Sequence, residues 1–377
     1  MAAPPQVITF HKSTHLPGLI VTDLDGTLLN PQHVISPLSI KTLSMAQSYH
    51  SNNTTSNPIQ IMIASGRSPR SIQKVIDLFG GAMIPDAVIC CNGALNYNPR
   101  TKTISVPQFM PLDQALQMVQ TLRTQIRAFK TPRDLVLPNS LLTPDQYLVQ
   151  DQDQNQDQQA IQGRPGFACE VIYFLNPYTP SSSSTPQPPS DWTPQYAQDT
   201  SFVCDKVWES ERKHTFYYDY TVIESMEEFI QSLAGRGGII KLMALDRNRT
   251  ASTVYESLPN PLVHHHSTRP AVASGQEQEQ LHSPPLTLTY SGPYFLEISA
   301  SGVNKGLGLA AYCTLHSIPR EGVVAFGDLL NDAEMLQWAG LGLCMGNGHE
   351  DMKRLADRVI GTNAEDGVAK EVESWFA

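Results

Sequence analysis

The apolar stretch Leu19-Ile20-Val21-Thr22 runs directly into Asp23-Leu24-Asp25-Gly26-Thr27, and this junction constrains the fold more than any other segment. A short run of branched apolar residues reads as a buried strand, here over Leu19–Leu24. Alternate side chains of an extended chain point the same way, so Asp23 and the Asp25 region address one point beyond the strand's carboxyl end. Gly26 follows at once and lets the backbone turn. Such a pair of acids suits attack on phosphorus. One carboxylate attacks, a second group shuttles the proton, and a divalent cation neutralises charge. An Asp-Leu-Asp-Gly string alone is also a common surface turn, so its partners elsewhere in the chain must decide.

The first ninety residues alternate strand and helix. Ser36-Pro37 reads as an N-cap with proline in the first helical position, followed by a buried stripe of Leu38, Ile40, Leu43 and Ala46. A strand over Ile59–Ala64 leads to Ser68-Pro69, which repeats the device ahead of a helix carrying Ile72, Val75, Ile76 and Phe79. A third apolar run, Ala87–Cys91, ends in Asn92-Gly93. Strands separated by helices imply a doubly wound parallel sheet. The last eighty residues resume the alternation, with strands at Phe295–Ser299, Val323–Phe326, Leu341–Met345 and Arg358–Ile360. Helices are expected there over Asn304–Leu315, Asp332–Trp338 and His349–Leu355.

The middle has a different texture. Leu112, Leu116, Val119, Leu122 and Ile126 mark one amphipathic helix, and Ile223, Met226, Phe229, Ile230 and Leu233 another. Strand-like runs occur at Glu170–Leu175, Phe216–Tyr220, Ile239–Leu245 and Leu286–Tyr290. The fold class is therefore α/β: a Rossmann-like doubly wound parallel-sheet core (1–92 and 299–377) with an inserted α+β cap (93–298). Three polar tracts interrupt the cap, near 150–160, 177–195 and 259–285. They are too poor in apolar residues to offset their ordering entropy and read as disordered loops. His264-His265-His266 falls in one of them and reads as a solvated run rather than a metal site.

With 377 residues the chain is too long for one core, and 41% hydrophobic content can fill two. The net charge of −10, with no visible Lys/Arg cluster, argues against a nucleic-acid partner and mildly against an anionic membrane surface. No apolar run approaches bilayer length. The opening Met-Ala-Ala-Pro-Pro-Gln lacks signal-peptide character, so a cytoplasmic location is expected. The six cysteines show neither metal-ligand nor disulfide spacing, and Cys90-Cys91 reads as buried packing.

Chemistry-bearing elements recur at strand ends: Asp23/Asp25, then Ser65-Gly66-Arg67, then Gly327-Asp328-Leu329-Leu330-Asn331-Asp332, with Lys305 opening a helix. In doubly wound folds ligands bind outside the carboxyl ends of strands, so these elements converge by topology. Asp23 and Asp328, with the Asp25 main-chain carbonyl, make a partial oxygen cage for Mg2+. The Ser65 hydroxyl and the N–H groups near Gly66 and Arg67 suit phosphate oxygens, and Lys305 adds a compact positive charge. Asp23 then attacks in line, and Asp25 protonates the departing alcohol and later activates water. Asn331 and Asp332 orient Lys305, metal waters or substrate. Arg67 and Arg70 are further candidates for substrate contact, weighed against simple surface exposure.

On these four motifs the chain resembles the haloacid dehalogenase-like (HAD) phosphohydrolase superfamily, close to its Cof-type branch with a type IIB cap. The motifs map onto Asp23/Asp25, Ser65, Lys305 and Asp328/Asp332. The likeness also covers Asn92-Gly93, Ile239–Leu245 and the return through Leu296 to Gly306. It implies Mg2+ dependence, Asp332 as a further metal-site residue, Asn92 among the substrate-binding residues and a cap that closes over substrate. It also implies hydrolysis of small phosphorylated metabolites, such as sugar phosphates or phosphorylated cofactors. Phosphomutases and phosphotransferases share the same aspartyl chemistry and remain open. A glycosyltransferase built on Asp-x-Asp leaves Lys305 and the Asp328 cluster unexplained, and a phosphoacceptor or binding module leaves Asp25 unexplained. The sequence is silent on oligomeric state.

Overall fold

The computed structural model describes residues 10–11, 15–49, 58–128, 165–179, 195, 197–212, 219–258, 286–290 and 292–377. The three polar tracts, the three adjacent histidines and most of the strand expected at Phe216–Tyr220 lie outside the described residues, apart from Pro177–Thr179, Gln195 and the stretch from Asp219. The chain divides into two units, Met1–Gln108 with Gly302–Ala377, and Phe109–Ser301. The strands, in chain order, are β1 (Leu19–Thr22), β2 (Gln60–Ala64), β3 (Ala87–Cys90), β4 (Leu95–Asn98) and β5 (Thr103–Ser105). They continue with β6 (Gly166–Tyr173), β7 (Ser201–Asp205), β8 (Tyr220–Ile223), β9 (Gly237–Leu245), β10 (Leu286–Thr289) and β11 (Leu296–Ala300). The last are β12 (Val323–Gly327), β13 (Leu341–Cys344) and β14 (Arg358–Val359). Among the described residues no helix is long and apolar enough to cross a membrane.

The first unit is built on one sheet in the order β14-β13-β12-β1-β2-β3-β4-β5. The six strands from β14 to β3 run parallel, and β4 and β5 add antiparallel at the edge. Every residue of β1 is buried, as expected of a parallel strand covered on both faces. On one face Leu19, Val21, Met62, Ile89 and Ala325 pack with Leu309 and Cys313 of the helix Lys305–Leu315 and Met335 of the helix Ala333–Trp338. β1 is flanked by β2 and β12, so the chain winds outward from it in both directions. That is the switch point at which strand ends leave a crevice.

Ser36 caps the helix Pro37–Ser48 by accepting from the Ser39 N–H at 3.0 Å, with Pro37 in the first turn. The buried face of that helix differs from the expected stripe. Ser39, Thr42, Leu43 and Ala46 point inward, while Leu38 and Ile40 are only half-buried. The i, i+3, i+4, i+7 spacing is helical, but two of the four positions carry hydroxyls, which a search for apolar residues passes over.

The unit boundaries also shift. Those expected at 92/93 and 298/299 fall at Gln108/Phe109 and Ser301/Gly302. β4 pairs onto β3 and β5 onto β4, so both belong to the core sheet, although Leu95-Asn96-Tyr97-Asn98 offers only two apolar residues. Conversely, the strand expected over Phe295–Ser299 belongs to the second unit. It forms as β11, antiparallel to both β9 and β10.

The second unit carries a sheet in the order β10-β11-β9-β6-β7-β8, antiparallel except for the β7/β8 pair. Helices Leu112–Ala128, Met226–Ser232 and Ala251–Ser257 contribute Val119, Leu122, Ile230 and Val254 to a cluster with Phe167, Leu242 and Ile298. Ile223 closes β8 rather than opening a helix. Alternation puts Lys241 and Glu297 on the opposite face, where they form a buried ion pair at 2.8 Å.

The helix that begins at Lys305 lies close against its neighbour. A side chain added at Gly306 would meet the Glu334 backbone at 2.6 Å. Gly306→Val is expected to destabilise the protein by about 1–3 kcal/mol through overpacking, read as a lower urea midpoint with an unchanged slope.

Candidate active site

Asp23 follows β1 directly, and its N–H donates to Phe326 O at 3.0 Å, so the ends of β1 and β12 emerge side by side. Asp328 stands just past β12. Lys305 is the first residue of its helix, behind Asn304, whose side chain accepts from the Leu307 N–H at 2.8 Å. Its ammonium is wholly buried, at 0% exposure, and donates to Asp23 Oδ1 at 2.7 Å and to Asp332 Oδ1 at 2.6 Å. The second Asp332 oxygen accepts from the N–H groups of Asp328 (2.9 Å) and Leu329 (3.1 Å), closing the turn that carries Asp328. Residues 282 positions apart thus share one ion pair.

The electrostatics are lopsided. Asp23, Asp328 and Asp332 are all buried, and each offers an oxygen within 4.8 Å of the others. One lysine stands against three carboxylates. Burial pushes the Asp23 carboxyl well above its ordinary value, with Lys305 opposing and Asp332 and Asp328 reinforcing. Burial, then Asp332, pushes Asp328 from an ordinary 3.8 up to about 7. Burial alone would lower Lys305, but the charges of Asp23 and Asp332 hold it above its ordinary value. Asp23 Oδ2 and Asp328 Oδ2 have no hydrogen-bond partner among the described residues. Hard oxygen donors, two free buried oxygens and surplus negative charge fit a divalent cation.

The turn between them is tightly made. Gly26 has φ +83, and a Cβ there would strike Asp328 Oδ2 at 2.2 Å, so only glycine lets the two segments approach. Thr27 Oγ1 donates to Asp328 Oδ1 at 2.8 Å, and Asn347 Nδ2 donates to Gly26 O at 2.8 Å. These two contacts were missed in the sequence. Thr27 sits inside the motif and was legible there, whereas nothing local marks Asn347.

Ser65 lies past β2 and is buried. The helix after it begins at Pro69 behind Ser68, as the cap-then-proline pair implied, and the Arg67 N–H, ahead of that helix, donates to Ser65 Oγ at 3.2 Å. Asn92 has φ 55, and its N–H donates to Ser65 O at 3.1 Å. Its side-chain oxygen accepts from Asn331 Nδ2 at 3.2 Å, so these two candidates do meet. No two of the six cysteines, all buried, join in a disulfide.

Asp25 is the surprise. Its half-buried carboxylate accepts from Arg67, Nε to Oδ2 at 3.0 Å and Nη2 to Oδ1 at 2.6 Å. His33 Nδ1 stands 3.7 Å away. Burial would raise this carboxyl, but the His33 imidazole beside it and the two hydrogen bonds from Arg67 hold it well below the carboxylate range. Arg67, expected against substrate, is committed here to Asp25, and His33 was not foreseen.

A family model described as haloacid dehalogenase-like hydrolase matches residues 20–172 and 198–372. The chain belongs to this family. Among relatives, the 5-amino-6-(5-phospho-D-ribitylamino)uracil phosphatase YitU of Bacillus subtilis is 45% identical over 84 residues, 22% of this chain and 31% of YitU. The match thus spans about a third of that relative. The pyridoxal phosphate phosphatase YbhA of Escherichia coli is 25% identical over 356 residues, covering 94% of this chain and 97% of YbhA. A HAD-like hydrolase structure from Bacteroides thetaiotaomicron has TM-score 0.57 at 21% identity, covering 96% of this chain and 100% of its own, and shares the HAD fold.

Between pH 3.8 and about 7 the folded chain holds a proton on Asp328 that the unfolded chain has released. Raising pH across that window therefore weakens the metal-free fold. In EDTA, Asp328→Asn is expected to melt close to wild type near pH 4 and above it near pH 8, as thermal denaturation across the range will show. Removing the positive charge has the opposite effect. Lys305→Met leaves two buried carboxylates facing each other, with an expected loss of about 3–5 kcal/mol in chemical denaturation at neutral pH.

Proposed function

We propose that the protein is a Mg2+-dependent phosphatase that hydrolyses small phosphomonoesters, sugar phosphates or phosphorylated cofactors, in the cytoplasm. The observation that carries this reading is the Lys305 ammonium shared by Asp23 and Asp332, with the free oxygens of Asp23 and Asp328 beside it. Asp23 is steadied at one oxygen and open at the other, as a nucleophile must be. Mg2+ held by Asp23, Asp328 and the Asp25 main-chain carbonyl, with Asp332 close by, would offset phosphate charge and expose phosphorus to attack.

The residues divide the rest of the work. The Ser65 hydroxyl, the Gly66 region, Asn92 and Asn331 hold the phosphoryl oxygens and the neighbouring substrate groups. Asp23 Oδ2 forms a bond to phosphorus as the bond to the alcohol oxygen breaks, and Asp25 gives that oxygen its proton. Water then attacks the aspartyl phosphate, Asp25 takes the proton, and the bond to Asp23 breaks to free phosphate. Both full-length and partial relatives carry the name phosphatase, which supports water over a sugar as acceptor.

The test is phosphate release from p-nitrophenyl phosphate and a panel of sugar, nucleotide and cofactor phosphates. Asp23→Asn is expected to lose at least about 10³-fold in kcat, and EDTA to abolish turnover until Mg2+ is restored. Undiminished turnover in EDTA would overturn the metal assignment.

A further inference from the structure

The reading above asks Asp25 to move protons, yet the structure shows its carboxylate committed elsewhere. Both oxygens are held in a fork by Arg67, at 3.0 Å and 2.6 Å, with His33 Nδ1 3.7 Å from one of them. Two parallel bonds to a guanidinium fix a carboxylate in orientation as well as charge. A carboxylate so held keeps only its outward-facing lone pairs and cannot turn toward a leaving alcohol or a water. The pair must therefore open in every catalytic cycle.

The surroundings decide which partner moves and what moves it. The Arg67 backbone is fixed. Its N–H donates to Ser65 Oγ at 3.2 Å, and its carbonyl accepts from the Cys91 N–H at 2.9 Å. The Asp25–Gly26 turn is equally rigid, because Gly26 packs against Asp328 Oδ2 and Asn347 ties its carbonyl at 2.8 Å. Only the two side chains can swing. The guanidinium hangs from the residue whose N–H already touches Ser65, the hydroxyl assigned to phosphate oxygens. A phosphoryl dianion at Ser65 competes directly with a carboxylate monoanion for that fork, and planar bidentate recognition suits either oxyanion.

His33 completes the clamp. It sits at φ 57, uncommon for a residue with a side chain, inside a tight turn. The Asn30 side chain accepts from the N–H groups of Gln32 (3.0 Å) and Val34 (3.2 Å), and the His33 N–H donates to Asn30 O at 2.8 Å. The turn thus presents the imidazole to Asp25.

We propose that Arg67 is a positioning residue that parks Asp25 in the resting enzyme and releases it when a substrate phosphoryl group takes over the guanidinium. The inference rests on the phosphatase reading, because it assigns a timing to Asp25 in that reaction. Freed from the guanidinium, the Asp25 carboxylate takes up a proton from solvent water, gives it to the departing alcohol oxygen and regains one from the water that attacks the aspartyl phosphate, so its proton transfers are coupled to phosphate occupancy.

Crystals of the full chain with Mg2+ and vanadate give the first test. With vanadate on Asp23, the Arg67 guanidinium is expected against a vanadate oxygen, with both contacts to Asp25 broken; a fork still closed on Asp25 overturns the proposal. Kinetics give the second, on p-nitrophenyl phosphate, whose leaving group departs without a proton, and glycerol phosphate, whose leaving group needs one. For Arg67→Gln the proposal expects KM to rise about tenfold on both substrates, the loss of one strong charged contact, with the ratio of their kcat values within about twofold of wild type. Arg67→Lys should recover part of the KM. A selective fall in kcat on glycerol phosphate at unchanged KM means that Arg67 directs proton transfer itself and overturns the handover. Asp23→Asn separates the two levels of argument. If it turns over like wild type, the phosphatase reading fails; if it is inactive while Arg67 behaves as in the overturning outcomes, only the handover fails.

Discussion

The wholly buried ammonium of Lys305, donating to Asp23 and Asp332 across 282 and 27 residues, is the contact that the first unit is arranged around. Desolvating a lysine and two carboxylates is costly, and such a group persists only where geometry and further hydrogen bonds offset the penalty. Here they do. Asp332 spends its second oxygen on the Asp328 and Leu329 amides, so the same carboxylate that neutralises Lys305 also shapes the turn bearing Asp328. One side chain couples charge balance to backbone geometry. The arrangement still leaves an excess of acid, visible in the raised carboxyls of Asp23 and Asp328. A fold selected for stability alone would replace one of these acids with an amide. Their retention in a buried cluster is what a site built to receive a cation and an oxyanion together would require.

Much of this was legible in the sequence, for reasons that differ by element. Parallel strands buried on both faces read as continuous apolar runs, and Leu19–Thr22 and Val323–Gly327 stand out for that reason. The cap-then-proline pairs at Ser36-Pro37 and Ser68-Pro69 mark true helix starts, because proline there loses no hydrogen bond. Asp23, Lys305, Asp328 and Asp332 could be brought together before any geometry was known, since strand ends in a doubly wound sheet share one edge. Elements held by neighbours rather than by their own pattern were harder. Leu95–Asn98 is a strand because β3 offers it an edge, and Ser39 and Thr42 are buried because their helix face is covered. Phe295–Ser299 reads as a strand from its composition, but composition does not say which sheet it joins, and its partners are β9 and β10.

The active-site chemistry shows the same division. Residue types and spacing identify Asp25 as the second acid, yet its orientation depends on Arg67, 42 residues away, and on His33 in a turn set by Asn30. Orientation is a tertiary property and left no local trace. Asn347 is similar: it braces Gly26 O from 321 residues away, and its own backbone-bonded partner, the N–H of Asn363 at 2.9 Å, sends a side chain back to Leu29 O at 2.8 Å. The loop after β1 is thus tied at Gly26 and again at Leu29 by two asparagines from the C-terminal segment.

These ties bear on how a site assembled from both ends of the chain stays in register. The second unit interrupts the first between Gln108 and Gly302, and Lys305 lies three residues beyond the return. A loosely tethered lysine at that place would expose Asp23 to the full repulsion of its acidic neighbours. Instead the ammonium is fixed by Asn304 capping its helix, by Gly306 pressed against the Glu334 backbone, and by the two carboxylates themselves. Lys305 is therefore held by the core rather than by the segment that delivers it. The charge on which Asp23 depends is thus set by contacts within the first unit.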